Sequence, residues 1–129
     1  MADHNDLGKL GEELAVEFLQ KNGYEILETN WTFQKAEVDI IAKKENTLAI
    51  VEVKTRSSLD FGLPQDFVKP NKIQLLVKAV NEYVISKNLD INVRFDIIAI
   101  TSSVQPSVSG NKEGKSFVIE HLVDAFYHF

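Results

Sequence analysis

The sequence predicts an α/β (α+β) fold with a central mixed sheet flanked by helices, in the order helix, three strands, helix, two strands (αβββαββ). Two segments carry apolar residues at helical spacing, one ending at Asn22-Gly23 and one beginning at Pro70. Between them, residues 36–56 read as two mainly apolar strands joined by a polar turn. A continuous apolar run at 93–101 adds a buried strand. We expect one domain over residues 1–129, because this length supports an independent core.

The composition is typical of a globular protein, with 44% hydrophobic and 26% charged residues. The chain has no cysteine, which excludes disulfides and thiolate metal sites. No apolar run approaches the ~20 residues of a membrane span, and the N-terminus does not resemble a signal peptide. We therefore expect a cytoplasmic protein without a membrane partner. The net charge of −5 argues against a general polyanion binder, although local basic patches can still bind phosphate.

The first helix is predicted to begin at the N-cap Asp6 and to end at Asn22-Gly23. Its apolar stripe consists of Leu7, Leu10, Gly11, Leu14, Ala15 and Phe18. Residues 24–33 are predicted to form the first strand, followed by a turn at 34–35. The aromatic residues Tyr24, Trp31 and Phe33 invite a base-stacking hypothesis. Amphipathic aromatics partly buried in a sheet are commoner, and we keep that interpretation.

The second and third strands lie within the stretch AEVDIIAKKENTLAIVEVKTR, residues 36–56. The turn at Glu45-Asn46 suits a tight hairpin because Asn tolerates positive φ. If Lys44 pairs with Thr47, the numbers of paired residues sum to about 91. The sequence thus predicts a register that a structure can test.

In that register Asp39 lies opposite Glu52, and Glu37 opposite Lys54, all on one face, with Val38, Ile40 and Ala42 on the other. Like charges directly opposed across a hairpin are destabilising. A divalent cation shared through oxygen ligands is the most economical explanation. The alternative is an exposed ion-pair ladder on an edge hairpin. The apolar reverse faces argue against it, because they predict strands covered on both sides.

Residues 55–66 are predicted to form a polar loop at the rim of this charged face. Arg56, Ser57 and Ser58 could contact phosphate there, and a solvated loop is an equally expected alternative. The second helix runs from Pro70 to Asn88, and Lys69 and Lys72 stand at its start, where free N–H groups favour anions. Its predicted core face consists of Ile73, Leu76, Val77, Val80 and Val84.

The C-terminal third holds the strand at 93–101, within which Asp96 is a second unexpected charge. Asp96 is expected either to pair with Arg94 or to lie at the start of the strand. Residues 102–115 are rich in Ser, Gly, Pro and Lys and predict a flexible loop. A short strand at 117–119 and a turn or helix at 121–129 complete the chain. The three histidines, His4, His121 and His128, show no spacing typical of a shared metal site.

The residues Asp39 … Glu52-Val53-Lys54 fit the pattern PD-(D/E)xK, an acid on one strand and an acid, a spacer and a lysine on the next. The surrounding segments resemble the YraN-like bacterial family of the restriction-endonuclease-like superfamily, which is similar to archaeal-type Holliday junction resolvases. These segments are GKLGEELAVEFLQKNGYEILETNW, AEVDIIA, IVEVKTRSS, FGLP and VKPNK. The resemblance covers nearly the whole chain, from Gly8 to about Phe126.

The resemblance implies a restriction-endonuclease-like core and a Mg²⁺- or Mn²⁺-dependent, structure-selective DNA endonuclease in repair or recombination. The implied metal ligands are Asp39, Glu52, Glu12 and the Val53 carbonyl. Lys54 would orient the attacking water or stabilise the transition state, and Lys72 would lie beside the site. Similarity to resolvases further implies branched DNA as substrate and a homodimer, because cutting a four-way junction needs two sites.

Several points stay open at this stage. From spacing alone, Glu12 and Glu13 would be surface acids favoured near a helix N-terminus. Glu37 is either an ion-pair partner of Lys54 or a residue behind the metal ligands. The family usually has Gly where this chain has Ala36, a small change that we expect the backbone to absorb. Two other functions remain: a non-cleaving nucleic-acid-binding or accessory protein, and an interaction protein that binds no metal. RNA is not excluded as the nucleic acid.

Overall fold

The computed structural model describes residues 4–57, 70–105 and 114–125. The elements are α1 (His4–Lys21), β1 (Glu25–Phe33), β2 (Ala36–Lys44), β3 (Thr47–Ser57), α2 (Pro70–Ser86), β4 (Asn92–Gln105) and β5 (Gly114–Leu122). The strands form one five-stranded sheet in the order β1-β2-β3-β4-β5. Neighbours are antiparallel except β3 and β4, which are parallel. The predicted element order and mixed sheet are confirmed, and the fold is consistent with a restriction-endonuclease-like core.

The hairpin register predicted for β2 and β3 is confirmed from Lys44–Thr47 to Ile40–Val51. The pairing stops there, so the predicted direct pairing of Asp39 with Glu52 is not formed. The turn also differs in detail: Glu45, with φ 54°, adopts the left-handed conformation expected of its neighbour Asn46. The two strands therefore meet as expected near the turn and part just before the acidic residues.

The sheet is covered on both faces, as predicted for β2 and β3. The α2-side group consists of the buried residues Val38, Ile41, Leu48, Ile50, Ile73, Leu76, Val80, Tyr83 and Ile97. The α1-side group consists of Ala15, Leu19, Ile40, Ala42, Ala49, Val51, Ile98 and Ile100. Val77, expected in the core, is 49% exposed, and Tyr83 is buried instead. The buried stripe of α2 advances by three or four residues through Ile73, Leu76, Val80 and Tyr83, and Val77 lies at its edge.

Helix α1 approaches the sheet closely at Gly11. A Cβ atom at this position would collide with the Thr55 side chain, whereas one at Gly8 would meet no atom within 4 Å. The missing side chain at Gly11 thus lets α1 pack against β3 and brings Glu12 to the sheet. The helix begins at His4, two residues before the predicted N-cap Asp6. It ends as predicted, with Gly23 at φ 89°.

A buried ionic cluster ties β4 to β5 and to the end of α1. Asp96 is fully buried and accepts hydrogen bonds from Arg94 Nη2 (2.7 Å) and the Asp124 N–H (3.0 Å), while His121 Nε2 lies 2.8 Å from it. Arg94 also donates to the Tyr24 hydroxyl over 2.6 Å. Burial alone would raise the pKa of Asp96, but the hydrogen bonds outweigh it and the pKa is lowered. The predicted pairing of Arg94 with Asp96 is confirmed.

The connections differ from the predicted boundaries. Strand β3 continues through Ser57, so the first residues of the predicted 55–66 loop are paired with β4. Strand β4 extends to Gln105 and β5 begins at Gly114, which shortens the predicted 102–115 loop; residues 106–113 lie outside the described part. A turn at 123–125 follows β5. None of the helices in the described ranges is long and apolar enough to cross a membrane.

Candidate active site

Asp39 lies on β2, one residue beyond the last pair that β2 forms with β3. Its Oδ2 accepts a hydrogen bond from the Val53 N–H over 2.8 Å. The pKa of Asp39 is raised to about 7. Burial of the carboxyl is the main cause, followed by the charge of Glu52; Glu12 adds to the rise, while the Val53 N–H and Lys72 oppose it. A carboxyl that holds its proton near neutral pH is unusual and typical of functional sites.

Glu52 lies on the α2 side of β3, two residues after Ile50, and is only 6% exposed. Its Oε1 is 2.6 Å from Lys72 Nζ and 3.7 Å from Lys54 Nζ. Lys54 shares the face of Glu52 because side chains two apart in a strand point the same way. Lys72 reaches the same oxygen from the first turn of α2. A buried carboxylate thus faces two lysines.

Asp39 and Glu52 line a common cavity of about 160 Å³. Lys72 lines it from α2, and Lys35 and Glu37 line it from the β1–β2 hairpin. The two acids that the sequence places across the hairpin are therefore brought together, although their strands have separated. Glu37 is exposed at the rim of this cavity. Its predicted pairing opposite Lys54 is not formed, because the β2–β3 pairing ends at Ile40 and Val51.

Glu12 approaches Asp39 from the other face of the sheet. It lines a second cavity of about 130 Å³ together with Asp39, Glu37 and Asn30. Asp39 thus borders both cavities, while Glu12 and Glu52 line different ones. Within residues 4–57, 70–105 and 114–125, no three acidic or histidine side chains converge closely enough to form a metal-binding group. Asp39 therefore shares one cavity with Glu52 and another with Glu12, and the three acids do not line a single cavity.

The chemistry of the donors nevertheless fits Mg²⁺ or Mn²⁺. Carboxylate oxygens are the ligands that these hard cations prefer, and Asp39 and Glu52 supply them to one cavity. Burial and the charge of Glu52 raise the pKa of Asp39, and Lys72 opposes this rise only in part. A divalent cation beside Asp39 would favour its ionised form.

The remaining predicted residues lie around this centre or outside the described part. Arg56 and Ser57 are at the end of β3, beyond Lys54, and the side chain of Ser57 is not described. Lys69 and Ser58 lie outside the described residues. Val53 contributes its N–H to Asp39. Ala36, in place of the family's usual Gly, is buried and pairs regularly with Phe33.

The sequence does not predict two features of the structure. The first is Asn30, which lines the Glu12 cavity and has a left-handed φ of 50° inside β1. A polar Asn within a predicted strand is the available signal, because Asn tolerates this conformation. The second is the contact of His121 with buried Asp96, which the sequence does not predict. The aromatic interpretation is confirmed for Trp31, which contacts Tyr83 edge-on with ring centroids 5.2 Å apart.

Comparison with known proteins identifies the family. A model of an uncharacterised protein family, UPF0102, matches residues 11–100. This chain belongs to the UPF0102 family. It is 73% identical to a UPF0102 protein of Flavobacterium psychrophilum and 63% identical to one of Flavobacterium johnsoniae, each over the full length of both chains. A UPF0102 protein of Bacteroides fragilis is 46% identical over 98% of this chain and 97% of its own. UPF0102 is the YraN-like family, so that resemblance is confirmed.

Proposed function

We propose that this UPF0102 protein is a cytoplasmic, Mg²⁺- or Mn²⁺-dependent, structure-selective DNA endonuclease that acts in repair or recombination. The observation that carries the proposal is the shared cavity of Asp39 and Glu52, with Lys54 and Lys72 against the Glu52 carboxylate. Buried acids beside lysines suit the hydrolysis of a phosphodiester, in which a cation and ammonium groups oppose the charge of the phosphate.

Asp39 and Glu52 would hold the cation, with Glu12 and the Val53 carbonyl as further ligands. A divalent cation bound there supplies a Lewis acid for the phosphate and lowers the pKa of a bound water. Asp39 must release its proton before both of its oxygens can bind a cation. The Val53 N–H keeps the carboxylate oriented while that proton leaves.

The lysines carry the rest of the chemistry. Lys54, 3.7 Å from Glu52, would orient the attacking water and stabilise charge that develops on the phosphate. Lys72 neutralises Glu52 in the cavity and offers a cation to phosphate. Arg56, Ser57 and Lys69 are proposed to contact the DNA phosphates on either side of the cleaved bond, because local basic groups can bind phosphate even on a chain of net charge −5. A homodimer would place two such sites on one branched molecule.

A second candidate is a non-cleaving nucleic-acid-binding or accessory protein with the same fold. The separation of Glu12 from Glu52, which line different cavities, favours it. Fold alone does not decide between the two functions.

The deciding experiment is cleavage of end-labelled DNA, comparing a four-way junction, a flap, a duplex and a single strand in Mg²⁺ or Mn²⁺. Native protein is compared with Asp39→Ala, Lys54→Ala and the matched control Asp90→Ala, an exposed acid after α2. We expect cutting by native protein and by the control, and a loss of at least ~100-fold in the other two. Equal DNA binding by all four proteins without cutting would support the accessory function. Failure of Mg²⁺ and Mn²⁺ to bind in calorimetric titration would contradict the metal site.

A further inference from the structure

Asn30 has an unusual backbone for its position. Among the described residues, five that are not glycine have a left-handed φ: Asn30, Gln34, Glu45, Asn88 and Asp124. Four of these lie in turns, and Asn30 alone lies within a strand, with φ 50°. Strained backbone persists where the surroundings hold it, and it is concentrated at functional sites.

This conformation coincides with a reversal of faces in both strands. Thr29 and Ile40 pair on the α1 side of the sheet, whereas the next pair, Trp31 and Val38, lies on the α2 side. Residues two apart in a regular strand share a face, so the prediction that Val38 and Ile40 do so is wrong here. The reversal falls where the register places Asn30 opposite Asp39. The Asp39 carboxyl therefore does not follow the alternation of side chains between the two faces that a regular strand imposes.

Asn30 also lines two cavities beside α1. The smaller, of about 130 Å³, lies between α1, β1 and β2 and is lined by Asp39. The larger, of about 330 Å³, lies between α1 and β1 and is lined by Lys9, Glu13, Val16 and Thr29. Of the residues lining them, Glu12 and Asn30 are common to both. The smaller cavity has room for about four waters at ~30 Å³ each, which suits a hydrated cation. The larger falls at the lower end of the ~300–1,000 Å³ of small-ligand pockets.

The larger cavity offers several groups that a nucleotide can use. Val16 offers an apolar surface, Lys9 a positive charge, and Asn30 a neutral amide donor, all beside the carboxylates of Glu12 and Glu13. An amide at this point can donate to a phosphate oxygen without adding to the negative charge of the acids. Neither Asn30 nor Lys9 takes part in the chemistry proposed for Asp39, Glu52 and Lys54.

We infer that the groove between α1 and β1 binds the nucleotide next to the cleaved phosphate, and that Asn30 is a positioning residue that donates its amide to that DNA strand. The inference rests on the proposed function for its substrate. It adds a path for the substrate. The DNA strand approaches Asp39 along α1, past Lys9 and Asn30, and the left-handed backbone of Asn30 turns its amide into this path.

Asn30→Gly tests this because glycine keeps a left-handed φ while removing the amide. The matched control is Asn88→Gly, an exposed asparagine with φ 53° in the turn after α2. Asn30→Asp keeps the shape and replaces the donor by an acid. Affinity for fluorescein-labelled single-stranded and branched DNA is measured by anisotropy in Ca²⁺. Cleavage is measured in Mg²⁺, with thermal unfolding as the check of folding.

We expect Asn30→Gly to bind DNA roughly 10-fold more weakly, since a hydrogen bond to a charged group is lost. KM should rise with little change in kcat, and Asn30→Asp should be weaker still because it repels phosphate. Asn88→Gly should match native protein.

If both Asn30 variants have the same DNA affinity and KM as native protein, the inference is overturned. Loss of cleavage in Asp39→Ala would then show that the proposed function stands without the inference. Weaker binding by the Asn30 variants in a protein that never cleaves would support the groove and contradict the nuclease. Absence of DNA binding by native protein would overturn the groove.

Discussion

The Val53 N–H donates a hydrogen bond to the Asp39 carboxylate over 2.8 Å, across the point where β2 and β3 part. A backbone group of β3 thus holds the acid after the strand pairing has ended at Ile40 and Val51. The same contact keeps Asp39 beside Glu52. Burial and the charge of Glu52 raise the pKa of Asp39 to about 7, although the Val53 N–H itself opposes the rise. The carboxyl with the raised pKa therefore lies where the two strands part.

Asp39 should make the stability of the metal-free protein depend on pH. Its pKa rises from 3.8 to about 7 on folding, so the folded state binds more protons between these values and its free energy of unfolding falls as pH rises through them. Asp39→Asn should reduce this pH-dependent fall in the free energy of unfolding by about 1–3 kcal/mol. The effect is smaller than the full pKa shift would give, because the site is partly exposed. Urea unfolding in chelator at pH 5 and pH 8 measures it. An unchanged difference between the two pH values, as expected for Asp90→Asn, would contradict the shift.

Lys72 should lower the proton affinity of Asp39. Lys72 lowers the pKa of Asp39, so Lys72→Met should raise that pKa above about 7. Carboxyl ¹³C NMR titration of the metal-free protein follows the group directly. Lys78→Met, an exposed lysine on the same helix, is the control. The same titration midpoint in both variants would show that Lys72 does not act on Asp39.

The buried Asp96 should contribute strongly to stability. Asp96→Asn should lower the free energy of unfolding by about 3 kcal/mol, because Arg94 and His121 lose the charge that pairs with them. The pKa of Asp96 is lowered, so its stabilisation is present above the unfolded value of 3.8 and is lost as pH falls below it. Urea unfolding at pH 7 and pH 3.5 should show a smaller effect at the lower pH. Asp124→Asn, which keeps the backbone contact, should be nearly neutral.

The approach of α1 to β3 predicts a collision and its rescue. Gly11→Ala should destabilise the protein by about 1–3 kcal/mol, because the new methyl meets the Thr55 side chain. Thr55→Ser removes the methyl group involved and should restore part of the loss in the double variant. Gly8→Ala, on the same helix with open space around it, should gain up to ~1 kcal/mol. Thermal unfolding of native protein and the four variants measures these effects, and additive losses without rescue in the double variant would refute the contact.

The register of the central hairpin could be predicted because a two-residue turn between strands leaves few ways to pair Lys44 with Thr47. The same local logic places Glu52 and Lys54 on one face. Lys72 could be placed near the site only through the family resemblance, because nothing in its spacing brings α2 to Glu52. Its 2.6 Å contact depends on how the helix packs on the sheet.

Other features depend on contacts that local patterns do not encode. The reversal of faces at Asn30 and Asp39 overrides strict alternation, and no Gly or Pro marks it in the sequence. His121 meets Asp96 only because β5 pairs with β4 at Ile98. Val77 was assigned to the core from helical spacing, but the sheet covers only a narrow stripe of α2.

The strands lie in the sheet in the same order as in the chain, and only β3 and β4 need a long crossover to pair. Hairpins between consecutive strands form in roughly 1–10 μs, whereas the parallel pair must first close a loop that contains α2. We therefore expect the crossover to set the folding rate. Asp39 and Glu52 belong to the early hairpin and Lys72 to the late crossover. During folding, the two acids meet before the lysine that neutralises them arrives.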